Sequence, residues 1–113
     1  MQVSFEEIGQ TAATFQADSG LSLGQVCKLT ENGTVGPCAA GDDFCGVVSV
    51  QRGGYAAAVV RGFVTLPYTG DTAPAVGWCT LAADGNGGVA VPESGGRSIL
   101  VVCVENGTVT VLL

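Results

Sequence analysis

The stretches between glycine-rich tips in this chain are short and rich in Val, Thr and aromatic residues, the pattern of an all-β domain. They predict strands at 25–30, 34–39, 44–51, 55–66, 76–83, 88–92, 98–104 and 108–113. The joins at Asn32-Gly33, Gly53-Gly54, Asp84-Gly85-Asn86-Gly87 and Asn106-Gly107 each offer the positive φ that a tight reversal needs. The expected fold is a small antiparallel β-barrel or sandwich of hairpins in meander order over residues 21–113, preceded by an extended N-terminal arm over 1–20.

Two strands break the alternation of a sheet with one wet face. "YAAAVVRGFV" and "SILVVCV" are apolar at nearly every position, so both of their faces need cover. A barrel covers one face, and the other is expected to meet a neighbouring subunit, with Ala56, Ala57, Ala58, Val60, Leu100 and Val102 as the contact residues. The competing arrangement is a sandwich thick enough to hide both strands within one chain. On the oligomer reading, Ala57→Arg damages the protein far more than Thr34→Arg, which sits beside a hairpin tip. In the arm, Val3, Phe5, Ile8 and Phe15 are apolar anchors separated by polar residues. Such a segment either packs on its own barrel as an extra strand or adds to another protein's sheet edge.

The pentapeptide "ENGTV" occurs at 31–35 and at 105–109. Each copy reads as a glycosylation acceptor, a trace of duplication or a turn. The start "MQVSFEEIGQ" lacks a basic lead, a continuous apolar run and a small-residue cleavage site, so nothing in it marks the chain for secretion. The flanking sequences share little beyond the turn, so duplication is not supported. Asn-Gly as a hairpin tip is the expectation at both places.

Composition narrows the chemistry. The apolar fraction is 47% against 12% charged, and the longest candidate span, 98–104, is far short of the ~20 residues a membrane helix needs, so a soluble protein is expected. Net charge is −6 with Lys28, Arg52, Arg61 and Arg97 scattered, which argues against a nucleic-acid partner. The five cysteines, Cys27, Cys38, Cys45, Cys79 and Cys103, form no C-x-x-C pair, and there is no histidine, so no zinc site is expected. Four of the five sit among apolar or small neighbours and read as buried hydrophobes in a reducing compartment, with a Cys38–Cys45 disulfide left open.

Without histidine, Ser-His-Asp and Cys-His catalysis is excluded. Asp42-Asp43 and Glu6-Glu7 are adjacent pairs whose side chains point to opposite faces of an extended chain, and they read as solvated. "GNGGVA" at 85–90 matches a dinucleotide loop in spelling only, because Pro92 and Gly95-Gly96 follow where a helix is required. "DGNGG" lacks the closing acid of a calcium loop. A lone Trp78 in a strand is expected in the core. No catalytic residue, cofactor or metal is expected, and the residues describe a structural or binding module.

The order of segments, "GLSLGQVCKLTENGTVGPC", "DDFCGVV", "VVRGFVTLPYTG", "APAVGWCTLAADGNGGV" and "GRSILVVCV", resembles the small β-barrel head decoration, or capsid-stabilising, proteins of tailed bacteriophages and their prophages. The resemblance covers roughly 18–113. It implies a non-enzymatic protein, made in the bacterial cytoplasm, that adds as a homotrimer to the outer surface of an expanded capsid and engages the major capsid protein through its arm. A different class remains as the alternative: a β-barrel recognising a glycan or peptide through Trp78, Tyr68 and the 66–77 loop. An enzyme working on carboxylates is the remotest reading.

Overall fold

A computed structural model of the chain describes residues 10–113, and within them every regular element is a strand. These are β1 (Thr11–Ala17), β2 (Val26–Glu31), β3 (Thr34–Pro37), β4 (Gly46–Arg52), β5 (Tyr55–Arg61), β6 (Phe63–Pro67), β7 (Gly77–Ala83), β8 (Val89–Ala90), β9 (Arg97–Glu105) and β10 (Thr108–Leu112). The all-β expectation holds, and so does a barrel, but half the strands lie outside it. Strands β1-β3-β2-β4-β5 close into a barrel, while β6-β10-β9-β7-β8 form a second sheet.

Both "ENGTV" copies are turns. Asn32-Gly33 joins β2 to β3 and Asn106-Gly107 joins β9 to β10, with Gly33 and Gly107 at φ 63° and 83°, where an L side chain is disfavoured. The simple meander does not hold. The hairpin β9–β10 inserts between β6 and β7, and β1 runs parallel to β3 through Gln16↔Thr34 and Ala17↔Val35. A bridge from Tyr68 to Val89, with the Thr69 amide donating to the Val89 carbonyl at 3.0 Å, draws the two edges of the second sheet together and curls it.

The predicted strand 55–66 breaks in two. Gly62 lies between β5 and β6 at φ +119°, and a Cβ there would stand 2.8 Å from the Gln10 Cα. This glycine is where the chain leaves the barrel and enters the second sheet, and its carbonyl accepts from the Leu113 amide at 2.9 Å. Gly62→Val is expected to cost about 3 kcal/mol, from an outlying φ and a backbone clash together. Urea unfolding would show it as a lower midpoint at unchanged slope. A midpoint equal to the parent's would mean the junction yields freely.

The doubly apolar strand is covered by two cores in one chain. Leu21, Cys27, Val35, Val48, Ala56 and Ala58 fill the barrel, with Phe15, Ala17 and Cys45 packed against them. Val26, Val47 and Val59 come from the same barrel strands but belong to the other cluster, with Leu66, Leu81, Ile99, Val101, Val109 and Val111 of the second sheet. Alternate residues of β2, β4 and β5 therefore point into different cores, as the period of two requires. This corrects the expectation that one face of 55–64 must meet another subunit. Ala56 and Ala58, expected at a subunit contact, are 1% and 0% exposed and line the barrel's own interior. Ala57, Val60, Leu100 and Val102 are half-buried.

For the second half of the expected arm the structure takes the first of the two open arrangements, packing on its own barrel as an extra strand. Thr11–Ala17 pairs with β5 from Thr11↔Arg61 to Gln16↔Tyr55 and closes the barrel, and Phe15 packs on the barrel core rather than reaching outward. Val3, Phe5 and Ile8 lie outside the described residues. Thr34, expected to be an exposed tip residue, is 6% exposed, and its hydroxyl bonds the Asn32 carbonyl at 3.2 Å and approaches Gln16 Oε1 at 3.5 Å. The seam between β1 and β3 buries it. The ranking of the two arginine substitutions reverses: Thr34→Arg should cost about 3 kcal/mol by forcing a charge into that seam, and Ala57→Arg less. Thermal melts of both variants decide the order.

Candidate interaction surface

The outer face of the second sheet gathers apolar side chains into one row. Cross-strand register sets Trp78 opposite Leu100, Leu100 opposite Leu112, and Leu112 opposite Phe63. Since opposed residues share a face, these four side chains cross β7, β9, β10 and β6 on the side away from the core. The neighbouring inward row confirms the parity: Val101 and Val111 are opposite one another and buried at 1% and 0%. A register irregularity at Thr110/Val111 places one extra residue of β9, Val102, in this region.

Trp78 overturns its expected place in the core. It is 74% exposed, and Val76 just before it is 70% exposed. The physical reason is the parity of β7: Cys79 and Leu81 take the inward positions, so a residue between Gly77 and Cys79 must face out. Leu100, Leu112 and Val102 beside it are half-buried. Below the row lie hydroxyls, where Thr65 and Thr110 share a hydrogen bond at 2.9 Å. The patch is apolar at its centre with a threonine margin, and it carries little charge.

The 66–77 loop does not join Trp78 to Tyr68 in one aromatic platform. Tyr68 packs against the inner core of the second sheet, and its amide donates to the Gly107 carbonyl at 3.1 Å. The Asp84 loop is equally committed. Asp84 Oδ1 accepts from the amides of Asn86 and Gly88 at 2.7 and 3.1 Å, and Oδ2 accepts from the Thr69 hydroxyl at 3.0 Å. Its carboxylate organises the reversal, with both oxygens engaged.

Asp42 is similarly occupied rather than simply solvated. Its Oδ2 accepts from Lys28 Nζ and from the Ala39 amide, at 2.5 and 2.9 Å. The ammonium first, then the amide, hold its carboxyl below the usual range. Its carbonyl accepts from the Ala83 amide at 2.9 Å, tying the loop after β3 to the second sheet. Arg97 makes a further tie, with Nη1 3.4 Å from the Phe44 carbonyl and the guanidinium 5.6 Å from the Phe44 ring centroid. Among the described residues no group of three or more His, Cys, Asp or Glu side chains is arranged to hold a metal ion. A shallow depression beside Gln25, Pro37 and Asn86 brings in no titratable side chain except Cys38.

Of the residues singled out from sequence, the register unites Leu100 with Trp78 on this face, keeps Val102 beside them, and separates Ala56 and Ala58 from it altogether. Sequence reading missed Leu112 and Val76. For Leu112 the signal was the strict alternation "TVTVL" in β10, which puts it on the face opposite Val109 and Val111. No protein-family model matches this chain, and no curated protein matches it.

Proposed function

We propose that this chain is a non-enzymatic structural protein that attaches to the outer surface of a tailed-phage capsid as a trimer and stabilises the shell. The observation that carries the reading is the outward apolar row that runs from the exposed Trp78 through the half-buried Leu100 and Leu112 to Phe63 across the second sheet. A patch of this kind, with an aromatic anchor, is what protein contacts bury. The Asp42 and Asp84 carboxylates are taken up by loop amides, the Thr69 hydroxyl and Lys28, which is consistent with a structural role. The family resemblance of the strand order supplies the capsid as the partner. The two-core fold removes one argument for the trimer, since β5 is covered within the chain, and leaves the outer face of β9 as the other.

Co-sedimentation with undecorated capsid shells, alongside light scattering of the free protein, tests the reading. Saturable binding to shells is the expected result, with a trimer in solution or on the shell. Failure to bind shells and failure to trimerise together overturn it. The exposure of Trp78 also suits stacking on a sugar or a peptide, and a glycan array is the matching test of that alternative.

A further inference from the structure

We propose that Cys27 and Cys45 form a redox-active thiol pair, which closes to a disulfide when the protein meets a low-molecular-weight disulfide and so staples β2 to the start of β4. The geometry comes from an irregularity in the barrel wall. Gly46 stands opposite Cys27 in the β2–β4 register, yet the Cys45 amide also donates to the Cys27 carbonyl, at 2.8 Å. Two successive residues of one strand thus face one residue of the other, as in a β-bulge. One of the two is a glycine with no side chain, and a Cβ at Gly46 would stand 2.7 Å from the Val59 carbonyl oxygen. The side chain that meets Cys27 is therefore the Cys45 thiol. Residues bonded across a ladder have Cα atoms about 5.5 Å apart, inside the range a disulfide spans.

The two thiols are unequal. Cys27 is 0% exposed within the barrel core, while Cys45 is half-buried at its margin. A sulfur–sulfur interaction with Cys27, assisted by the Arg97 charge, lowers Cys45 to about 7, and the same interaction raises Cys27. Cys38, close enough to both to be felt electrostatically, is pushed up to about 11, chiefly by burial. Cys45 is thus the attacking sulfur and Cys27 the resolving one.

The reaction balances as thiol–disulfide exchange. The Cys45 thiolate attacks one sulfur of the small disulfide, forming a mixed disulfide and expelling one small thiolate. Cys27 gives up its proton and attacks Cys45 Sγ, expelling the second small thiol. Two protein thiols are oxidised and one small disulfide is reduced to two thiols.

The test is exposure of the full-length protein to oxidised glutathione, followed by intact-mass measurement and peptide mapping. The expected product has lost two hydrogens, carries a Cys27–Cys45 link, and melts at least about 5 °C higher than the reduced form, because the link closes a loop in the unfolded chain. Cys45→Ser should abolish the link, Cys38→Ser should leave it intact, and Cys27→Ala should trap a glutathione adduct on Cys45. Alkylation of Cys45 by iodoacetamide should rise with pH through a midpoint at about 7. A link or adduct confined to Cys38, Cys79 or Cys103, or wild-type protein that keeps all of its thiols, overturns the proposal. The wild-type map decides the matter even if a variant fails to fold.

Discussion

A chain that begins at Asp18 will not show a cooperative melting transition. Its missing residues include all of β1, which pairs with β5 over six register positions and with β3 over two. Without β1 the barrel is open, and two edges with unpaired amides and carbonyls face water. Phe15 and Ala17 no longer cover Ala56, Ala58 and Val35, and the seam that buries Thr34 is gone. The loss is of the same order as the whole stability of a small domain, about 5 kcal/mol or more. Circular dichroism of the truncated chain should give a broad or absent transition, with aggregation on heating. A chain that begins at Gln10 keeps every β1 contact described above and serves as the control. If the Asp18 truncation melted within a few degrees of the parent, β1 would be an accessory strand, and the reading of the arm as a segment that adds to another protein's sheet edge would be the better one.

That reversal shows which part of the fold can be seen in the residues. Strands with a clear turn at each end were legible: the predicted 98–104 and 108–113 became β9 and β10 around Asn106-Gly107, with ends shifted by a residue or so. β1 was obscured because its inward positions are Ala13, Phe15 and Ala17, and only one of these is large. Its alternation was present, but small inward residues read as weak anchors. What fills the barrel opposite them is small too, with Ala56 and Ala58 allowing close approach. The alanines read as a subunit contact because close packing was legible and the partner was not. Whether that partner is the next strand or the next chain depends on closure between segments 41 residues apart, such as Phe15 and Ala56, and no local pattern encodes it.

The candidate surface was hidden for a related reason. A tryptophan among "VGWCTLAA" reads as core by composition, yet its position is decided by parity, and parity is set by which neighbour pairs with β7. Once β9 is that neighbour, with Ile99 inward opposite Cys79, Trp78 must face out. Leu100, expected at a subunit contact, lies on the outer face of β9, a situation that β5 does not share. The cysteine pair was legible only as a count, because the bulge that brings Cys45 to Cys27 depends on the pairing of β2 with β4.

Replacing Trp78 by Ala should separate folding from assembly by a wide margin. The side chain is 74% exposed, so its removal forfeits little more than a cross-strand contact with Leu100, worth about 0.2–1 kcal/mol. Urea midpoints of variant and parent should nearly coincide. In a contact that buries it, a central tryptophan is worth about 2–4 kcal/mol, which weakens binding by roughly 30- to 1000-fold. Shell co-sedimentation should fall by that factor, and Leu100→Asn should reproduce part of the loss. The oligomeric state of the same variants then assigns the face. Loss of the trimer together with shell binding makes the row a contact between subunits, whereas a trimer that persists without binding shells makes it the contact with the capsid. Retention of both at parental strength would remove the outer sheet face from the function altogether and turn attention to the apolar side chains exposed elsewhere on the barrel strands, Leu29, Val50 and Tyr55.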